Sequence, residues 1–208
     1  MGKSENFFVK NCLHVLTFYF LCWAVWACIN WPSLELVQKL VMGIFAILVL
    51  HEYEESYKNR FYKLMGSFFG IDGSNPSPDV HIPALLLIAG MHTLALLFPG
   101  QLWLSFGVFV LALFEMFVHS QGIIIFRLKG VSPGWWTAML MGILAILGIV
   151  LVNRSIDYPG IQWLWGILFF LASFALMEIF THKALGIDMK TAVPHAKAFL
   201  KERFGKNQ

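Results

Sequence analysis

Three phrases in this 208-residue sequence set a carboxylate and an imidazole one helical turn apart. His51-Glu52-Tyr53-Glu54-Glu55 pairs His51 with Glu55, while Glu115-Met116-Phe117-Val118-His119 and Glu178-Ile179-Phe180-Thr181-His182 repeat a single pattern with the acid first. Residues at i and i+4 share a helix face. Carboxylates and imidazoles on facing helices are the ligand set of bundle-core metal sites, and inside membranes the same groups relay protons. Soluble di-metal bundles space their Glu and His at i, i+3, so the likeness here is one of chemistry and not of motif. A single i, i+4 pair is usually an intrahelical hydrogen bond. Three at matching depth point to one shared site.

The elements that must carry these groups are transmembrane helices. Charged residues make up 13% of the chain and hydrophobic ones 58%, against about 25% charged in soluble domains. That disfavours a soluble enzyme, a nucleic-acid binder, a disordered chain and a disulfide scaffold. Six continuously apolar stretches, near 12–29, 36–50, 82–98, 102–128, 135–152 and 161–182, approach the roughly 20 residues a spanning helix needs. The second is expected to continue helically through His51–Arg60. Without period-two alternation they read as helices and not as a barrel. The fold class is therefore an all-α transmembrane bundle in one membrane domain, 1–208, with a basic interfacial tail at 183–208. Turns fall at Asn30-Trp31-Pro32-Ser33, Pro99-Gly100, Ser132-Pro133-Gly134 and Tyr158-Pro159-Gly160, with one longer connection over 70–78.

With six spans, every one of the 15 basic residues except Lys39 and Arg154 falls on the side of the two termini. The positive-inside rule makes that side cytoplasmic. Trp31, Trp103, Trp163 and Trp165 then mark the outer interface, and Trp135 and Trp136 the inner one. All three His/Glu pairs lie on even-numbered spans toward the cytoplasmic end, where they can form one layer. Cys12, Cys22 and Cys28 form no C-x-x-C pair and read as buried structural thiols. His14 reads as a core or interface histidine, His195 as solvated, His81 as interfacial, and Glu52 as pointing to headgroups or solvent.

An acid at a span centre costs roughly 2.5–3.5 kcal/mol to insert, a cost that falls when acids, histidines and a cation face one another. The expected metal ligands are His51, Glu55, Glu115, His119, Glu178 and His182. Neighbours such as Glu54 and Glu55 project about 100° apart on a helix. One of the two ligates, and the other orients a ligand or moves a proton. Glu54, Glu55 and His92 are the candidate catalytic or orienting groups. Mixed N/O ligation suits divalent iron, manganese or zinc in a mono- or dinuclear site, and the lack of thiolate motifs argues against an iron–sulfur cluster.

His51-Glu52-Tyr53-Glu54-Glu55 resembles the H-x-x-E-E signature of the HXXEE-domain family, small integral membrane proteins found mainly in bacteria. His119-Ser120-Gln121, Arg127 and Pro133-Gly134-Trp135-Trp136-Thr137-Ala138 resemble that family's histidine, its arginine and its P-G-x-x-T-A stretch. The resemblance covers roughly residues 40–145. Ser132 stands where the family often has tyrosine, and Glu115 where it often has Asn or His. The resemblance implies a bacterial inner-membrane protein with a histidine–glutamate site, and it names no activity. Glu54-Glu55…Arg60 also resembles the E-E-x-x-x-R box of CAAX-type membrane proteases, but it is one residue too long and the companion boxes do not match. HxxHH and HExxH motifs are absent.

The expected function is a membrane metalloenzyme, an oxidoreductase or a hydrolase, acting on a lipid-like or hydrophobic substrate. The alternatives are a proton- or divalent-cation-coupled transporter component and a non-enzymatic accessory membrane protein. Membrane lipid is the expected partner, and nucleic acid is not.

Overall fold

The computed structural model describes residues 11–73, 81–184 and 186–205. Lys3, Lys10, Lys206 and residues 74–78 of the long connection lie outside them. The described chain is helical throughout, with no strand among the described residues. The apolar stretches become α1 (Cys12–Asn30), α2 (Leu36–Ser56), α4 (Ile82–Leu97), α5 (Leu102–Ile125), α6 (Trp135–Ser155) and α7 (Ile161–Ala184). Five segments are long and apolar enough to cross a bilayer, and α4 is a shorter apolar helix of 16 residues. The protein is an integral membrane helical bundle.

Local chemistry sets the helix ends. Asn30 donates from its side chain to the Trp26 carbonyl, and Pro32 follows in a short 3-10 turn, so α1 stops there. Glu35 and Gln38 then form a reciprocal capping box that starts α2. At the other end of α2 the helix stops at Ser56 and does not continue to Arg60. Lys58 and Asn59 both take left-handed backbone conformations, φ 56° and 55°, and break the hydrogen-bond ladder. The chain resumes as an amphipathic helix, α3 (Arg60–Phe69). The basic tail forms α8 (Met189–Phe204), which packs on α3 through Phe68 and Phe199, with ring centroids 5.6 Å apart.

The core lies between α2, α4, α5 and α6 and is built on Val41, Ile44, Phe45, Met91, Phe106, Phe109 and Met141. Helix α7 packs along α5. Gly166 permits that approach, because a Cβ there would lie 2.7 Å from the Phe106 Cβ and 3.1 Å from the Gly107 nitrogen. The outer faces of α1, α6 and α7 expose large apolar side chains such as Phe18, Leu147 and Ile179, as lipid-facing helices do. Trp31, Trp136 and Trp165 are exposed. Trp163, in contrast, stacks on Phe106 at 4.0 Å and belongs partly to the core. The cysteines also depart from expectation. Cys22 and Cys28 are exposed and Cys12 is half-buried, because α1 packs by one side only and these residues fall on its outward faces.

Candidate metal centre

Helices α2 and α5 bring two of the three pairs face to face. His51 Nε2 lies 3.5 Å from Glu55 Oε1 and 3.7 Å from Glu115 Oε2. His119 Nε2 lies 2.9 Å from Glu55 Oε1 and 3.5 Å from Glu115 Oε2. The two imidazoles meet edge to face at 4.8 Å. One ligand atom from each of the four residues falls within 4.8 Å of the others. Metal–ligand bonds of about 2.0–2.2 Å put neighbouring ligands of a four-coordinate ion roughly 3.3–3.6 Å apart. The four His–Glu separations, 2.9–3.7 Å, bracket that value, and the set as a whole spans up to 4.8 Å.

The outer hydrogen bonds set the protonation of both rings. His51 Nδ1 faces the Gly134 carbonyl at 3.1 Å and Thr137 Oγ1 at 2.9 Å. The carbonyl can only accept, and the Thr137 hydroxyl is spent on Glu54 Oε2 at 2.6 Å. The hydrogen therefore sits on His51 Nδ1. His119 is held in the same way: Ser132 Oγ donates to the His119 carbonyl at 2.9 Å and accepts from His119 Nδ1 at 3.1 Å. With Nδ1 committed in this way, Nε2 is the ring atom that each histidine turns to the two carboxylates. The buried His119 Nε2 makes no hydrogen bond, although Glu55 is only 2.9 Å away. Two Nε2 atoms and two carboxylates converge. A divalent cation would satisfy all four and balance the two negative charges, so the donor set fits such an ion.

The loop before α6 closes this arrangement. Gly134 has φ 83°, and a Cβ on it would stand 2.7 Å from His51 Cε1, 2.8 Å from His119 Cε1 and 2.9 Å from Glu55 Cγ. Only glycine lets the backbone pass between the two rings in that conformation. Glu54 points away from the four ligands. It accepts from Thr137 N at 3.1 Å as well as from the hydroxyl, holding the first turn of α6 and, through Thr137, the His51 ring. The sequence leaves open which of Glu54 and Glu55 ligates, and the geometry selects Glu55 for the cluster.

The remaining candidates are distributed differently. Glu178 and His182 pair at 3.3 Å on α7 and line the same cavity of about 240 Å³, but they stand apart from the converging ligand atoms. His92 is buried in α4, stacked on Phe45 at 4.5 Å, with Nδ1 donating to the Ile88 carbonyl at 2.8 Å. It is not among the residues lining the cavity. Glu52 overturns the expectation that it faces headgroups or solvent: it is 8% exposed and lines the cavity. The α3 helix folds back over that side of α2 and covers it. Tyr62 of α3 also lines the cavity, with its hydroxyl 2.9 Å from His81 Nδ1.

Sequence reasoning missed the structural roles of Ser132, Gly134 and Thr137. The available signal was their place in a single motif stretch, at the turn that opens the fifth span. No protein-family model, curated protein or solved structure matches this chain.

Proposed function

We propose that this membrane protein binds a divalent metal ion through His51, Glu55, Glu115 and His119 and uses it as a metalloenzyme on a lipid-like substrate. One observation carries the reading. Two Nε2 atoms and two carboxylates converge within 4.8 Å while both Nδ1 hydrogens are committed to other partners. Iron, manganese or zinc suits this N/O set. The ion would act as a Lewis acid, activate water, or carry redox chemistry. The chain's own residues then divide the work. Thr137 and Glu54 aim His51, and Ser132 aims His119. Apolar walls such as Phe61, Phe114 and Phe174 limit water at the site.

The topology proposed with it puts both termini and the ligand layer at the cytoplasmic side, following the basic residues. The HXXEE-family assignment and a bacterial inner membrane belong to the same proposal. Both rest on the resemblance of the two motif stretches in the sequence.

The test is metal analysis of detergent-purified protein prepared without chelator, wild type beside Glu115→Ala/His119→Ala. Stoichiometric metal in the wild type that drops to background in the variant is expected. Absence of metal from both proteins sinks the reading. A second reading, cation or proton movement through the site, is favoured by the Glu178–His182 pair on the wall of the same cavity. Proton flux into liposomes that is lost in His182→Ala would select it.

A further inference from the structure

The site cavity has an apolar neighbour. A groove of about 430 Å³ runs between α3 and α5, within the range of roughly 300–1,000 Å³ typical of ligand sites. The groove and the cavity share Phe61, Met65, Val118 and His119 as walls. His119 therefore faces both, with its ring between the metal ligands and an apolar channel. Phe117, which lines the groove, is 60% exposed on the outside of the bundle, so the groove opens sideways toward the bilayer.

Its two ends differ in charge. The end at His119 is lined mainly by apolar side chains, with Ser132 beside the ring. At the other end the groove is bounded by Phe68 and Phe126, both in ring contact with Phe199 of α8. The Arg203 guanidinium lies 5.0 Å over the Phe199 ring. Arg127 directly follows Phe126 and donates to the Arg203 carbonyl, and Lys129 follows two residues later, exposed. Among the described residues no acidic side chain lines the groove. An apolar trough with cations at its interfacial end complements an amphiphile with an anionic head and a hydrocarbon chain.

We infer that the groove between α3 and α5 is the substrate channel of the metal centre, and that it takes a single-chain anionic lipid. The head group sits by Arg127, Lys129 and Arg203, and the chain lies along α5 past His119. From Phe126 to His119 is seven residues, or about 10 Å at 1.5 Å per residue. The metal therefore faces the chain some way below the head and not the head itself. This inference rests on the metal reading above for its catalytic meaning, and the groove can be tested separately.

Gly122 offers the cleanest block. It lines the groove, and a Cβ there meets only the Ser132 Cβ, at an ordinary 3.7 Å. Gly122→Leu would fill the groove from α5 one turn beyond His119, and Leu64→Trp would fill it from α3, which carries none of the four ligands. The probe is palmitate carrying a photoreactive diazirine near its chain end, with the matching uncharged alcohol beside it. Both are added to the full-length protein in phosphatidylcholine nanodiscs, and labelled peptides are located by mass spectrometry. Saturable labelling of the α3 and α5 groove segments is expected. It should weaken about tenfold in Gly122→Leu and in Leu64→Trp, which exclude a few buried methylenes, while metal content stays at the wild-type level in Leu64→Trp. Palmitate should outcompete the alcohol, and Arg127→Gln/Lys129→Gln should erase that preference.

Labelling spread evenly over all lipid-facing helices, or unchanged by Gly122→Leu, overturns the channel. Equal labelling by acid and alcohol overturns the anionic head. Leu64→Trp, which fills the groove from α3, replaces Gly122→Leu if that variant does not fold. Loss of metal with groove labelling intact would count against the metal centre alone. Intact metal with no groove labelling would count against the channel alone.

Discussion

The α5 pair Glu115–His119 and the α7 pair Glu178–His182 share the pattern E-[M/I]-F-x-H, yet they end in different circumstances. On α5 the histidine side chain is 2% exposed, its Nδ1 is tied to Ser132, and its Nε2 faces carboxylates of two helices. On α7 the glutamate is 38% exposed and the pair is bonded only to itself among the described contacts with acids. What separates them is the environment around each pair. The α5 pair lies opposite α2, which supplies a second pair, and beside the α6 loop, which supplies donors and acceptors behind the rings. The α7 pair lies on a helix packed by one side, with lipid-type surface at Ile179 and Phe180 next to it. A Glu/His phrase joins a converging set of metal-type donors where neighbouring groups hold the ring from behind, and otherwise it remains a polar pair on a cavity wall.

Several substitutions would break or sharpen this contrast. The largest effect is expected from His51→Ala or Glu55→Ala, which take a ligand from the α2 side of the cluster. Bound metal, measured by mass spectrometry of digested protein, should fall from stoichiometric to background. Retention of wild-type metal in both would leave the two α5 and α7 pairs equivalent. Gly134→Ala comes next. Its Cβ would press on both histidine rings, and overpacking of that kind costs about 1–3 kcal/mol. A lower thermal midpoint in detergent and weaker metal binding are expected together, and a stable variant with normal metal would remove the loop from the site.

Thr137→Ala and Glu54→Gln should act more gently, because they free the His51 ring without removing a ligand. Metal affinity is expected to fall about 10- to 100-fold, with full occupancy restored at high metal concentration, as competition with a chelator would read. The smallest effect is expected on α7: Glu178→Ala/His182→Ala should leave metal content at the wild-type level. A loss as large as that of His51→Ala would place the third pair within the metal shell.

Much of the scaffold was legible before any coordinates. Spans are written in the sequence as long apolar runs, since a bilayer core admits only segments that bury every backbone group, and Pro, Gly and Asn mark their ends. The helix boundaries fall within a few residues of those runs. The turn of the chain after Ser56 was not legible, because it depends on Lys58 and Asn59 adopting left-handed conformations that their types do not demand. The burial of Glu52 follows from that same turn, so it was hidden too. The cysteines misled for a related reason: α1 is apolar on every side, and no periodicity tells which face meets protein and which meets lipid.

Read from the sequence alone, this chain is an integral membrane helical bundle in which Glu55, Glu115 and Glu178 each have a histidine one turn away. Composition and i, i+4 spacing are local properties, so they can be read without contacts. Only the tertiary structure decided which pairs meet. It selected Glu55 over Glu54 for the cluster, set His92 behind Phe45, and left Glu178 and His182 on the wall. Those choices depend on helix rotation and on the approach of the Gly134 backbone. Both are fixed by packing among residues far apart in the chain.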